Sequence, residues 1–581
     1  MIKAINLSFG FRERELFERV NFTLEKGCHC ALIGSNGTGK TTLTRLLRQP
    51  EAFTYEGRIL REDTGRIGYV SQFAAREGEQ TVTVLDYLSG DFLALQQDIA
   101  AVCEEMAAED AVLEPLMERY QQLLDESESM DADNYESNIH RQLHLAELTD
   151  KAGLELGKLS GGEYKLVQVI RQMLRCPGLL IMDEPDVFLD FENLTGLRDL
   201  INSYDGTLLV VTHSRYLLNH CFDKIWHLEN SGLAEYEGNF LAYNHYRLQK
   251  KIDQQLAASA DAKEIRRAEE MVERLRDDAT QVASAQKGRT LKGKVSYLNR
   301  LLARRTEVPF VETRRPEIAL PAAIPVEGEE PLLQVTDYSL AFEETLLQDV
   351  SFALAAGEKV ALVGPNGTGK TSMLRQIRRG DHPAIAFSHQ AKVGFFSQLH
   401  EEVFREESTI YETFFDLGFE TREEIETYLQ AYCFDPDSLH RKVGNLSGGE
   451  KNLLQLAALA VGESNLLLLD EPSSHLDTFA QSALEEALKV WPGAVLMVSH
   501  DFYTIANCAD RVLFVEEGTL RPMSIRAFRK MIYKHHFKKD YLLLEQQKKE
   551  LETQIAHCLR DDDCAKAQLL CDKLGDVIDQ M

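Results

Sequence analysis

"CALIGSNGTGKTTLTRLLR", residues 30–48, runs without a break from a short apolar stretch through a glycine-rich turn into helix-forming text. That order gives the glycines their meaning. They let consecutive backbone N–H groups wrap an anion, while the helix that follows turns its positive end to the same point. "VALVGPNGTGKTSMLRQIRR", residues 360–379, repeats the arrangement. Two phosphate cradles are therefore expected, one from Gly34, Ser35, Asn36, Gly37, Thr38, Gly39, Lys40, Thr41 and Thr42, the other from Gly364, Pro365, Asn366, Gly367, Thr368, Gly369, Lys370, Thr371 and Ser372. Lys40 and Lys370 reach the β- and γ-phosphate oxygens of a nucleoside triphosphate, and Thr41 and Thr371 hold Mg²⁺.

The repetition extends far beyond this loop. "LSGGE" stands at 159–163 and 446–450, "LLIMDEP" (179–185) answers "LLLLDEP" (466–472), and "VVTHSRYLL" (210–218) answers "MVSHDFYTI" (497–505). The copies are displaced by 330 residues at the glycine loop and by 287 at the later motifs, so the first copy carries 43 more residues in between. Most of them lie between Gln72 and Ser160, where the apolar spacing suits helices and Pro115 divides the text, predicting a helical hairpin within about 93–145. Asp183–Glu184 and Asp470–Glu471 close apolar runs that read as buried parallel strands, which present ligands at their carboxyl ends. Asp183 and Asp470 are thereby placed for the metal, and Glu184 and Glu471 for the attacking water, the group that separates hydrolysis from binding. "LSGGE" opens a second helix per copy and so a second anion cradle.

Length and composition bound the rest. A chain of 581 residues with 44% hydrophobic content exceeds one core and fills several domains. No apolar run is long enough to span a bilayer, and "MIKAINLSFGF" lacks an export pattern, so a cytoplasmic protein is expected. The ten cysteines form no CxxC pair, which argues against a disulfide framework and a thiolate metal site. A net charge of −29 excludes a protein that coats nucleic acid uniformly; any RNA contact is local.

Glycine loop, Gln72 or Gln398, "LSGGE", acidic strand end, "FLD" or "HLD", then His213 or His500: in this order the motifs resemble the ABC-type ATPase cassette. The resemblance implies an α/β fold of two tandem P-loop cassettes in a head-to-tail sandwich. Ser160 and Gly162 would then cover ATP held by the second glycine loop, and Ser447 and Gly449 ATP held by the first. Phe11 and Phe342 resemble the adenine-stacking aromatics, Gln72 and Gln398 the ligand of metal and water, and His213 and His500 the switch residue on the γ-phosphate. "DVFLD" and "SSHLD" occupy the family's D-loop, which crosses between the sites. Asp190 and Asp477 are kept in both copies, whereas Asp186, Val187 and Phe188 replace Ser473, Ser474 and His475, so uneven communication between the sites is expected.

From about 246 to 331 the chain leaves the cassette pattern for two long helices and a Pro-rich return. Between residues 287 and 305 stand Lys287, Arg289, Lys292, Lys294, Arg300, Arg304 and Arg305 with no acidic residue, a local nucleic-acid footprint in an acidic protein. Two fused cassettes, this linker, "YEGNF" leading into it and the inserted hairpin together resemble the ABC-F family over nearly the whole chain. The family implies ATP-dependent binding at the tRNA exit region of the ribosome, with rRNA, P-site tRNA and ribosomal proteins as partners, and either modulation of translation or protection from antibiotics. The expected organisation is a first cassette over 1–245, a basic helical linker over 246–331, a second cassette over 332–535 and a C-terminal helical extension over 536–581, acting as a monomer. A duplicated ATPase subunit of a membrane transporter would share every cassette motif without needing a basic linker.

Overall fold

The computed structural model describes all residues except 1, 12–13, 62–65, 73–79, 109–111, 176, 188, 282–284, 305–314, 329, 343–344, 537–540 and 562. Residues 1–239 and 314–532 form one compact unit; residues 240–313 and 533–581 form a second.

The first unit contains the two copies, each built on a six-stranded sheet of the same order. In the first copy the strands run Ile67–Val70, Leu179–Asp183, Thr207–Val211, His29–Ile33, Lys224–Glu229 and Gly232–Glu237; only the last is antiparallel to its neighbour. The second copy repeats it with Val393–Phe396, Leu466–Asp470, Ala494–Val498, Lys359–Val363, Arg511–Glu516 and Thr519–Ser524. "LLIMD" and "LLLLD" are buried at every position, as strands covered on both faces must be.

A three-stranded antiparallel sheet accompanies each: Arg14–Leu24, Ile2–Phe11 and Glu56–Arg61, and in the second copy Thr345–Leu354, Leu333–Ala341 and Ile385–Phe387. The glycine-loop helix Lys40–Arg48 lies within one core with residues of both sheets. Its Leu43, Leu46 and Leu47, at helical spacing, are buried with Leu7, Phe17, Ile181 and Val211. Burying that stripe fixes the helix axis, and with it the point to which its N-terminus is directed.

The insert is helical, as Val84–Met106 and Leu113–Ser129, followed by Tyr135–Leu145. Its break is not at Pro115. The chain leaves the helix after Met106, and Pro115 sits in the first turn of the next helix, where no intrahelical partner exists for the N–H that proline lacks. Tyr135 anchors the base, donating from its hydroxyl to the Leu88 carbonyl at 2.8 Å and stacking on Phe92.

The second unit joins the text between the copies to the C-terminal tail, two segments that the sequence presents as separate. Helices Phe240–Gln281 and Ala285–Arg304 pair, with the Tyr297 hydroxyl donating to Glu264 at 2.6 Å. The tail helices Tyr541–Arg560 and Cys564–Ile578 bury Ile555, Ala567, Cys571 and Leu574 against Ile252. Among the described residues, no helix is long and apolar enough to cross a membrane.

Within the first unit the copies are joined by Arg215, whose guanidinium donates to Glu485 at 2.5 Å and Asp501 at 2.8 Å and lies over the Tyr503 ring. Removing one partner of a buried ion cluster leaves the rest desolvated, at a cost of about 3–5 kcal/mol. Arg215→Ala is therefore expected to lower the thermal unfolding midpoint of this unit by several degrees, measured by scanning calorimetry; an unchanged midpoint would show that the cluster contributes nothing net.

Candidate active site

Both glycine loops leave the central strand of their sheet and enter their helix through left-handed glycines, Gly37 and Gly39 in the first and Gly367 and Gly369 in the second. Thr38 and Thr368 donate from their hydroxyls to the Ser35 and Pro365 carbonyls at 2.9 and 3.0 Å, closing each turn. Lys40 Nζ donates to the Gly34 and Ser35 carbonyls at 2.8 and 3.0 Å; Lys370 Nζ does the same to Gly364 and Pro365 at 2.8 and 2.6 Å. Burial pushes both ammonium groups below the usual lysine range, opposed by carboxylates nearby. Thr42 and Ser372 follow half-buried in the first helical turn. Phe11 and Phe342 are 61% and 69% exposed, so neither is a core residue.

At the strand ends, Asp183 accepts from the Thr41 hydroxyl at 3.4 Å, and Asp470 from the Thr371 hydroxyl at 3.0 Å. Burial pushes Asp183 above the ordinary carboxylate range and Asp470 up to about 6. Asp470 Oδ2 is buried without a hydrogen-bond partner. A buried carboxylate beside a half-buried hydroxyl is the kind of oxygen donor set that suits Mg²⁺.

Glu184 and Glu471 take left-handed backbone angles, φ 47° and 52°. Such conformations cost about 1–3 kcal/mol and persist only when their surroundings over-determine them. Here the Glu184 N–H donates to Val211 at 2.8 Å and the Glu471 N–H to Val498 at 2.9 Å, on the strands that lead to the two histidines. His213 and His500 are buried and, chiefly for that reason, pushed down to about 4 and about 3, which makes them neutral imidazoles at physiological pH. The His500 N–H donates to Glu471 Oε2 at 3.3 Å, and its Nε2 lies 3.6 Å from Oε1.

The two glutamates differ. Burial drives Glu471 up to about 8, with Asp470 adding to the shift. Glu184 is equally enclosed, yet His475, His213 and Lys40 outweigh the desolvation and hold it below the usual range. The Gln72 amide donates to Glu184 Oε2 at 2.5 Å. Gln398, half-buried beyond its strand Val393–Phe396, is not brought to Glu471 by any described hydrogen bond.

Ser160 and Ser447 each cap their helix with a reciprocal bond to the glutamate three residues on. The cross-cassette approach is clearest at the first glycine loop. Asn36 Nδ2 donates to the His475 carbonyl at 3.0 Å. A Cβ built on Gly449 would lie 1.7 Å from Asn36 Nδ2 and 2.5 Å from the His475 carbonyl oxygen, so only glycine fits there. Gly162 instead meets Asn193 and Leu189 of its own copy. Asp477 caps helix Thr478–Val490 with Oδ1 and accepts from the Asn36 N–H with Oδ2 at 3.2 Å. Asp190 caps Phe191–Ser203 and accepts from the Asn366 N–H at 3.0 Å.

Several residues here escaped the motif reading. Lys165, in the helix after "LSGGE", donates to the Ser71 and Gln72 carbonyls and is pushed down to about 8 by burial, with Asp186 opposing the shift. Asp186 accepts from the Thr212 hydroxyl at 2.6 Å. At the equivalent positions of the second copy, Asn452 donates to the Ser474 carbonyl at 2.5 Å, and Ser473 replaces the carboxylate. The acid in "DVF" thus accompanies a lysine, and its loss accompanies an asparagine; aligning the copies at the 287-residue displacement exposes that exchange. Phe188 itself lies outside the described residues.

The ABC transporter family model matches residues 17–187 and 347–474, and a second ABC transporter model matches 226–307. The chain is 28% identical over 530 residues to the energy-dependent translational throttle protein EttA of Escherichia coli, covering 87% of this chain and 90% of that one. It is 27% identical over 544 residues to the ribosome protection protein VmlR of Bacillus subtilis, covering 89% and 87%. The fold is shared with the archaeal ribosome recycling factor aABCE1, with a TM-score of 0.52 at 18% identity over 92% of each chain. With two cassettes in one chain and the linker segment also matched, the chain belongs to the ABC transporter family of ATPases, in its tandem-cassette ABC-F branch.

Proposed function

We propose that the chain hydrolyses Mg²⁺-ATP at two composite sites and uses their closure to act on the ribosome in the cytoplasm, either modulating translation or protecting the ribosome from antibiotics. In each site the glycine loop and its lysine bind the triphosphate, and Phe11 or Phe342 stacks on adenine. Mg²⁺, when bound, offsets phosphate charge; Thr41, Gln72 and Asp183 would hold it in the first site, and Thr371, Gln398 and Asp470 in the second. Glu184 and Glu471 orient the attacking water, and His213 and His500 bond the γ-phosphate. Ser447 and Gly449 cover the first nucleotide, Ser160 and Gly162 the second. The relatives' names, a translational throttle and a ribosome protection protein, point to the ribosome.

The observation that carries the ribosomal reading is the helix Ala285–Arg304. Its Arg289, Lys292, Lys294, Arg300 and Arg304 are all exposed, in a chain of net charge −29. Only the helical backbone is described at Lys287, and Arg305 lies outside the described residues. Such a helix suits the phosphates of rRNA or P-site tRNA, whereas the ATPase subunit of a transporter has no use for it.

Two outcomes follow from these roles. Glu184→Gln with Glu471→Gln should lower ATP turnover by at least about a hundredfold while ATP still binds. The ATP-filled protein should then collect on ribosomes in sucrose gradients; hydrolysis at the parent rate would remove the glutamates from the mechanism. Changing Arg289, Lys292, Lys294 and Arg300 together to Gln removes up to four phosphate contacts. The slope of log affinity for ribosomes against log salt should then flatten by up to about three units, at about 0.7–0.9 per contact, with ribosome-free ATPase unchanged. A parental slope would show that the linker does not read RNA.

A further inference from the structure

His475 sits in the D-loop of the second cassette, yet its ring is directed into the first cassette's site. Its Nδ1 lies 3.6 Å from Glu184 Oε2 and 3.3 Å from Gln72 Nε2. Two features hold it there. The backbone at His475 is left-handed, with φ 56°, which turns its carbonyl to accept from Asn36 Nδ2 at 3.0 Å. The start of helix Gly448–Ala460, opened by the second "LSGGE", closes on the ring, since a Cβ on Gly448 would lie 3.0 Å from His475 Cγ. The side chain is 10% exposed and that of Glu184 15%. One oxygen of Glu184 is thus approached by an amide from its own cassette and by an imidazole from the other.

The second site is built differently. Glu471 is approached by His500, through its backbone N–H at 3.3 Å and its Nε2 at 3.6 Å, and both groups belong to the same cassette. At the 287-residue displacement the counterpart of His475 is Phe188, whose side chain has no hydrogen-bonding group. Whatever place that ring takes, it cannot bond a carboxylate.

We propose that His475 is a positioning residue acting between cassettes: it orients Glu184 toward the attacking water, so that hydrolysis at the first site requires the docked D-loop of the second cassette, whereas the second site has no such requirement. This rests on the reading of Glu184 as the water-orienting carboxylate. It makes the first site the one whose chemistry reports closure, and the sandwich directional.

The test uses the full chain at saturating Mg²⁺. In a Glu471→Gln background only the first site turns over, and in a Glu184→Gln background only the second. His475→Phe introduces the side chain that the first copy already carries at this point of the loop. Displacing a catalytic group by a fraction of an ångström to an ångström costs about ten- to a hundredfold, so kcat in the Glu471→Gln background should fall by that factor with KM for ATP little changed. In the Glu184→Gln background the effect should stay within about twofold, because the His475 ring is directed into the first site and the glutamate of the second is approached by His500. His475→Asn, which keeps a short N–H donor, should recover most of the loss. Equal losses in both backgrounds, a loss expressed only in KM, or no loss would each overturn the proposal. If the Glu184→Gln, Glu471→Gln double variant turns over at the parent rate, the reading of the glutamates fails. If that variant is inactive and His475→Phe is silent, only the role of His475 fails.

Discussion

Each glycine loop is bonded to an aspartate that belongs to the other half of the chain. Asp190 and Asp477 use one carboxylate oxygen to cap the helix that follows and the other to accept the backbone N–H of Asn366 or Asn36 in the opposite glycine loop. Charge-assisted bonds of this kind are about twice as strong as neutral ones. One side chain therefore ties a cassette's own helix N-terminus to its partner's phosphate cradle, and neither glycine loop can shift without disturbing a helix in the other cassette. The electrostatics carry the same mark: Asp477 raises the affinity of Lys40 and His213 for protons, and Asp190 acts likewise on Lys370 and His500.

Around this reciprocal frame the two sites diverge. The first has Lys165 on the Gln72 loop, Asp186 beside Thr212, and His475 arriving from across the interface. The second has Asn452 on the Ser474 carbonyl and His500 as the neighbour of its glutamate. Burial costs a carboxylate its charge unless partners compensate, and the partners present differ. Glu184 is thereby held as a carboxylate while Glu471 is pushed up to about 8. Identical motifs therefore do not make identical sites.

The motifs were legible in the sequence because each depends on local chain geometry. A glycine loop between strand and helix, a serine that caps a helix and an acid at the end of a buried strand need no knowledge of the rest of the molecule. Pro115 misled because proline marks both a helix break and a helix first turn, and the letters alone do not distinguish them. The partnership of Ile252 with the tail residues Ala567 and Leu574 is a tertiary contact between segments more than 300 residues apart, which periodicity within either segment cannot reveal. His475 was visible as a departure between the copies, but its reach to Glu184 depends on a left-handed turn and on how the cassettes meet.

If each nucleotide site is completed from the opposite cassette through its aspartate, loss of Asp190 acts on the second glycine loop. The most direct measurement is single-site turnover of Asp190→Ala, compared between Glu184→Gln and Glu471→Gln backgrounds. The larger loss of kcat is expected in the Glu184→Gln background, where only the site of the second glycine loop, bonded through Asn366 to Asp190, still turns over. A loss confined to the Glu471→Gln background, the site of Asp190's own cassette, would contradict it.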